Sequence, residues 1–357
     1  MKIRDRKVGK GEKPYIIAEM SGNHDGSLDT ALAIVDAAAD AGADAVKLQT
    51  FTADSMTLDI DHPDFVINNK DSLWYGKRLH DLYEEAHTPW EWHKPIMDRA
   101  RERGIECFSS PFSNEAVDFL VELDVPCLKI ASLENTDLGL IRHAAATGLP
   151  LIISTGLATA EEIQEAVAAA REAGCTDLVI LKCTASYPTD PSQSFLQTIP
   201  DMRERFDVEV GLSDHTLGIG VPLAAIALGA IVVEKHVTLS RDAGGVDAAF
   251  SLEPHELRSL VEESERAYKA VGPVHYGPTA GEQGALKRRR SLYFVADVVA
   301  GTVITSEHVR SIRPGSGLPP KHLEAVLGAK VTRDVERGTP VSWELVDRAD
   351  GGSTPMA

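Results

Sequence analysis

From residue 15 onward, short runs of β-branched and other apolar residues alternate with stretches whose apolar positions recur at helical spacing. The strand-like runs are YIIAEM (15–20), DAVKLQT (44–50), IECFSS (105–110), CLKIAS (127–132), PLIISTG (150–156), DLVILKCT (177–184), VEVGLSD (208–214) and IVVEKHV (231–237). Amphipathic segments such as SLDTALAIVDAAADAG and ATAEEIQEAVAAAREAG lie between them. Both open on a capping residue and close at glycine, as helix ends do. Eight strands alternating with helices over about 270 residues predict an α/β fold of the (β/α)8 TIM-barrel type. A doubly wound open sheet is the alternative. It needs no eightfold count, and no G-x-G-x-x-G loop follows the first strand.

Two stretches break the alternation. Residues 51–90 are long, aromatic and polar, and in a barrel they form an extended loop over the catalytic mouth. After the helical PHELRSLVEESERAYKAVG, which ends the barrel domain (1–272), comes a Gly/Pro-bearing segment closing on a basic cluster. We read 273–290 as a linker, 291–347 as a second unit of short strands and turns, and 348–357 as a disordered tail.

Composition narrows the partners. Against 36 Lys and Arg stand 54 Asp and Glu, a formal charge of −18, which disfavours nucleic acid and anionic membrane surfaces. There is no run of 18 apolar residues and the first 15 residues are polar. The expectation is therefore a cytoplasmic protein with no signal peptide and no membrane span. Cys107, Cys127, Cys175 and Cys183 form no C-x-x-C pair and read as reduced core residues.

Barrel active sites form at the C-terminal ends of the strands, and residues i and i+2 of a strand share a face. Polar pairs stand at those places: Lys47 with Gln49, Ser213 with His215, and Glu234 with His236. Glu19 ends the first run, Lys129 and Ser132 the fourth, and Ser154 the fifth. So many polar groups at one rim cost several kcal/mol unless they are paired or bind something. Adjacent strands lie about 4.8 Å apart, so imidazoles at matching heights on the last two can share one divalent cation. Water and Glu19 are available to complete its shell. Mixed N/O ligation suits Mn²⁺, Zn²⁺ or Fe²⁺. Lys47 and Lys129, with the hydroxyls of Ser132, Ser154 and Ser213, suit a phosphate. A Schiff-base aldolase using Lys129 or Lys182, or a non-catalytic sugar binder, are the competing readings.

IIAEMSGNHDGSLDTALAIVDAAADAGADAVKLQTF, FSSPFS, LKIASLENTDLGLI, STGLAT, LKCTASYPT, GLSDHTLG and VEKHVTL stand in this order. Together they resemble the sialic acid synthase family, which condenses phosphoenolpyruvate with N-acetylated amino sugars to nonulosonic acids. The last unit resembles that family's small, mostly-β SAF (antifreeze-like) domain. AEMSGNH, SLWYGKRLHDLYEEAHTPWEW and GGVDAAFS resemble the family's pseudaminic acid branch. The resemblance implies that His215 and His236 bind a metal, most often Mn²⁺, with Glu19 beside the reacting centre. It implies that Lys47, Lys129, Ser132, Ser154 and Ser213 hold phosphoenolpyruvate, and that Gln49, Tyr187 and Asp247 face the sugar. Arg313 matches a position that reaches into a partner subunit, which implies a domain-swapped homodimer. Ala185 departs from the Asn that sialic acid makers often carry. A 6-deoxy sugar calls for apolar surface, which we expect from Met20, Phe250 and the aromatics of 72–92.

Overall fold

The computed structural model describes residues 1–70 and 72–347. The tail read above as disordered lies outside the described residues. The chain divides after Gly272 into two compact units.

In the first unit, strands β1 (Tyr15–Glu19), β2 (Ala45–Thr50), β3 (Glu106–Pro111), β4 (Leu128–Ile130), β5 (Leu151–Ser154), β6 (Leu178–Cys183), β7 (Glu209–Asp214) and β8 (Val232–His236) run parallel. They close into a barrel in chain order, β8 pairing with β1 from Val232↔Tyr15 to His236↔Glu19. Closure removes the open-sheet alternative. A helix follows each strand: α1 (Leu28–Ala41), α2 (Trp90–Arg103), α3 (Asn114–Glu122), α4 (Leu138–Ala146), α5 (Ala160–Glu172), α6 (Thr198–Phe206), α7 (Gly220–Ala227) and α8 (Pro254–Val271).

Local chemistry sets the helix ends. Ser27 caps α1 by accepting from Thr30 N, and the chain leaves the helix at Gly42 with φ 84°. Thr159 and Glu162 form a reciprocal capping box on α5. The apolar stripe Ala31, Ile34, Val35, Ala38 and Ala41 buries α1 against the barrel. Every residue of β1 and β8 is buried, as expected of strands covered by helices outside and packed side chains inside. Ile3 and Val8 of the N-terminal segment join the same core. The four cysteines are buried and free. No helix among the described residues is long and apolar enough to cross a membrane.

The 51–90 stretch is more regular than its polarity suggests. It holds a short helix Ala53–Met56, a 3-10 turn Pro63–Phe65 and a helix Leu79–Ala86. The second unit has its own core around Leu292, Phe294, Ile304, Val309, Val331 and Val341. Two antiparallel pairs build it, Ser291–Phe294 with Val309–Ile312 and Lys330–Val331 with Val346–Asp347. Within 273–290 lies a 3-10 helix, Ala280–Arg288.

Candidate active site

Side chains alternate along a strand, so Glu19, Lys47, Lys129, Ser154, Ser213, Glu234 and His236 turn into the mouth of the barrel, where one cavity of about 320 Å³ is bordered by all seven. Gln49, Ser132, Tyr187, His215 and Asp247 border it too. Thus eleven of the twelve site residues expected from sequence meet in one place. The twelfth, Arg313, is carried by the second unit just past the strand Val309–Ile312.

On one side stand the imidazoles. The ring centroids of His215 and His236 are 5.3 Å apart. His215 Nδ1 lies 2.9 Å from the Thr184 carbonyl oxygen. A carbonyl only accepts, so Nδ1 carries a proton, which leaves Nε2 as the nitrogen a metal would take. His236 Nδ1 is buried without a hydrogen-bond partner, 3.7 Å from Asp247 Oδ2. Burial, then repulsion from His215 and the nearby lysines, holds the His236 imidazole neutral. Asp247 is steadied by Ser21 Oγ, which donates to Oδ2, and by Asn23, whose side-chain oxygen accepts from Asp247 N at 3.3 Å.

On the other side stand the cations. Lys47 Nζ is 2.5 Å from Glu19 Oε2 and 3.9 Å from Glu234 Oε2, and it donates to Ser110 Oγ at 3.0 Å. Ser213 Oγ donates to Glu234 Oε1 at 3.0 Å. Lys129 is buried and donates to its neighbour's carbonyl, Ile130 O, at 2.9 Å. Ser132 Oγ accepts from Gly156 N at 3.0 Å, and a Cβ at residue 156 would lie 2.7 Å from that oxygen, so only glycine fits. Glu19 Oε1, Ser154 Oγ and Glu234 Oε2 are buried without hydrogen bonds. Protein interiors leave few such atoms. Their convergence on one cavity marks where a ligand's polar atoms belong.

Two carboxylates around one ammonium cannot be equivalent. Burial, with repulsion from Glu234, pushes the Glu19 carboxyl up to about 7 against the pull of Lys47. Burial acts on Glu234 too, but Lys129 and Lys47 outweigh it and hold its carboxyl below the usual range. Glu234 is therefore the ionised partner, and Glu19 exchanges a proton near neutral pH. We expect kcat/KM to fall as pH drops through about 7, because a protonated Glu19 no longer accepts. A pH profile of Glu19→Gln should lose that limb; an unchanged limb would assign it elsewhere.

The structure corrects two expectations. Met20 is fully buried in the core and does not border the cavity, because the residue after an inward Glu19 must face outward. Phe250 is also buried, its ring 5.0 Å from that of His236 and 5.3 Å from that of Tyr187, so it backs the site rather than lining it. Glu19 pairs with Lys47 through Oε2, while its Oε1 faces the cavity unpartnered. The apolar surface comes from Ile67, Trp74, Leu79, Leu82, Tyr83 and Ala86, of which Trp74 and Tyr83 belong to the aromatics expected of 72–92. Trp74 is pinned by its indole N–H, which donates to Val246 O at 3.0 Å. Glu134 was not anticipated. It borders the cavity, and burial pushes its carboxyl up to about 7. Glu234 stood in the sequence as the i−2 mate of His236, without a role. Lys182 borders a different cavity, which weakens its candidacy as a Schiff-base lysine.

The residues present fit a divalent ion. Among the described residues no three His, Cys, Asp or Glu side chains gather into a complete shell. Two buried imidazoles side by side, His236 held neutral, offer two ligands and leave the other positions to water and substrate oxygen, as a catalytic ion requires.

A closed (β/α)8 barrel with this mouth, on a chain that also carries a small SAF unit, is the build of the sialic acid synthases that the motifs resemble. Residues 34–276 match the NeuB family and residues 289–347 the SAF domain; the chain belongs to the NeuB family. It is 44% identical over 330 residues to the pseudaminic acid synthase of Campylobacter jejuni strain 81-176, spanning 92% of this chain and 95% of that protein. It is 37% identical over 341 residues to the pseudaminic acid synthase of Helicobacter pylori, spanning 95% and 99%. The N-acetylneuraminic acid synthetase of Leptospira borgpetersenii, solved with citrate, superposes with a TM-score of 0.71 at 33% identity, over 80% of this chain and 94% of that one.

Proposed function

We propose that the chain condenses phosphoenolpyruvate with 2,4-diacetamido-2,4,6-trideoxy-altrose in the cytoplasm, giving pseudaminic acid and inorganic phosphate. The observation that carries this reading is the 44% identity, continuous over 330 residues, to a pseudaminic acid synthase. Lys47 and Lys129, with Ser132, Ser154 and Ser213, hold the phosphate and carboxylate of phosphoenolpyruvate. Gln49, Tyr187 and Asp247 face the sugar. His215 and His236 hold a divalent ion, Mn²⁺ in this proposal, which supplies Lewis-acid polarisation of the open-chain aldehyde.

C3 of phosphoenolpyruvate forms the new bond to the aldehyde carbon, water adds at C2, and the tetrahedral adduct expels phosphate. Glu19 takes the proton from that water, its affinity for a proton being matched to neutral pH. The buried ammonium groups stabilise charge on phosphate and carboxylate throughout, in a site from which bulk water is largely excluded. Two copies exchange their second units, and Arg313 of each completes the sugar site of the other.

The 6-deoxy carbon of the sugar rests on the apolar wall of Leu79, Leu82 and Tyr83. An apolar pocket rejects an added hydroxyl by only about 10²-fold, so contacts to the second acetamido group must add to it. In direct competition, monitored by mass spectrometry of the products, we expect the diacetamido altrose to be used at least about tenfold faster than N-acetylmannosamine. Equal or better use of N-acetylmannosamine moves the chain to the sialic acid branch. Preference for the legionaminic acid precursor assigns it to that branch instead.

A further inference from the structure

The hydrogen-bonded ladder between β7 and β8 ends at the rung Lys235↔Asp214. His215 and His236 stand one residue beyond it, so the imidazoles sit where the two strands are free to separate. The last two rungs are fastened on opposite faces. Inside the barrel Ser213 Oγ donates to Glu234 at 3.0 Å. Outside, Lys235 Nζ donates to Asp214 Oδ2 at 2.6 Å, with side-chain exposures of 0% and 3%. The same ammonium also donates to Thr216 O. Asp214 reaches past His215 as well, accepting from Thr216 Oγ1 at 2.9 Å and from Thr216 N at 3.2 Å. The residues on both sides of His215 are thus tied to the residue preceding His236.

We propose that the buried Asp214–Lys235 pair is a positioning clamp that sets the separation of the two imidazoles and so the affinity of the site for its divalent ion. The inference rests on the metal role proposed for His215 and His236. Neither Asp214 nor Lys235 borders the cavity, so the pair acts through the histidines and not on substrate. A buried ion pair is a poor source of stability compared with apolar packing. Its value here is geometric, because a metal site loses affinity steeply when its ligands are held loosely.

The charge of Lys235 and the geometry it enforces make opposite predictions. Removing a positive charge near a cation site tightens binding by Coulomb's law; removing a clamp weakens it. The test is Mn²⁺ binding to the metal-stripped full chain, by electron paramagnetic resonance and calorimetry, with melting curves as the control for folding. In Asp214→Asn/Lys235→Met both charges go together, so no ion is left buried alone. We expect its Mn²⁺ Kd to rise roughly 10- to 100-fold, the range for lost ligand-orienting partners, while the barrel still melts cooperatively. An affinity within twofold of the parent in this folded variant, or tighter binding in Lys235→Met alone, overturns the clamp. If the double variant does not fold, the milder Asp214→Asn/Lys235→Gln is judged by the same two criteria. A parent chain that binds no Mn²⁺ refutes the metal reading instead, which keeps the two failures apart.

Discussion

Alanine at His236 is expected to cut product formation about 10³-fold or more while the barrel remains folded. The imidazole is buried and neutral, so its removal strands no charge and opens only a small void beside Asp247. The catalytic cost is larger. In the proposed reaction His215 alone would offer one ligand, and polarisation of the aldehyde would be worth several kcal/mol; at 1.36 kcal/mol per tenfold, losing about 4 kcal/mol gives that factor. Phosphate release from phosphoenolpyruvate and sugar, measured with excess Mn²⁺ beside a thermal melt, checks both halves. A parental rate in this variant after chelation would end the metal assignment.

Lys47→Met is expected to damage stability as well as turnover. Its ammonium stands between two buried carboxylates, 2.5 Å from Glu19 and 3.9 Å from Glu234. Taking away one partner of a buried pair costs about 3–5 kcal/mol, because the charge left behind is uncompensated. For a unit of this size that lowers Tm by on the order of 10 °C. The sign of the pH dependence follows. Glu19 already titrates at about 7 against an ordinary value of 4.5. Without the cation its folded-state affinity for protons is higher still. The folded variant then binds more protons than the unfolded chain, and its stability falls as pH rises from the ordinary carboxylate range through 7 and above. Lys47→Met/Glu19→Gln should recover part of the Tm without recovering activity. A parental Tm in the single variant would show that the three groups are not coupled as described.

Much of this was legible in the sequence, and the reason is periodicity. The eight β-branched runs match the eight barrel strands to within a few residues, because a buried parallel strand has little freedom in what it can be made of. The i, i+2 rule brought Ser213, His215, Glu234 and His236 to one rim. The same rule, pressed one residue further, would have turned Met20 outward into the core. The helix Leu79–Ala86 falls within a stretch that reads as a loop, although Leu79, Leu82, Tyr83 and Ala86 recur at i, i+3, i+4 and i+7. That apolar face was obscured by the charged residues around it and by the loop-like composition on either side. The mutual positions of Glu19, Lys47 and Glu234 could not be read from spacing. Three strands that are distant in the chain bring them together, and only the closed barrel makes β8 a neighbour of β1.

That helix also bears on how new specificities arise. All four residues of its apolar face border the cavity, yet it sits in an insertion between β2 and α2 that supplies none of the strand-end groups. Surface segments tolerate change far better than a packed barrel does. Selection, or a designer, can therefore redraw the apolar wall one helical face at a time and try new sugars while Lys47, Lys129, His215 and His236 stay where they are. Chimaeras that exchange residues 51–89 between synthases should carry sugar preference with them and leave the handling of phosphoenolpyruvate behind.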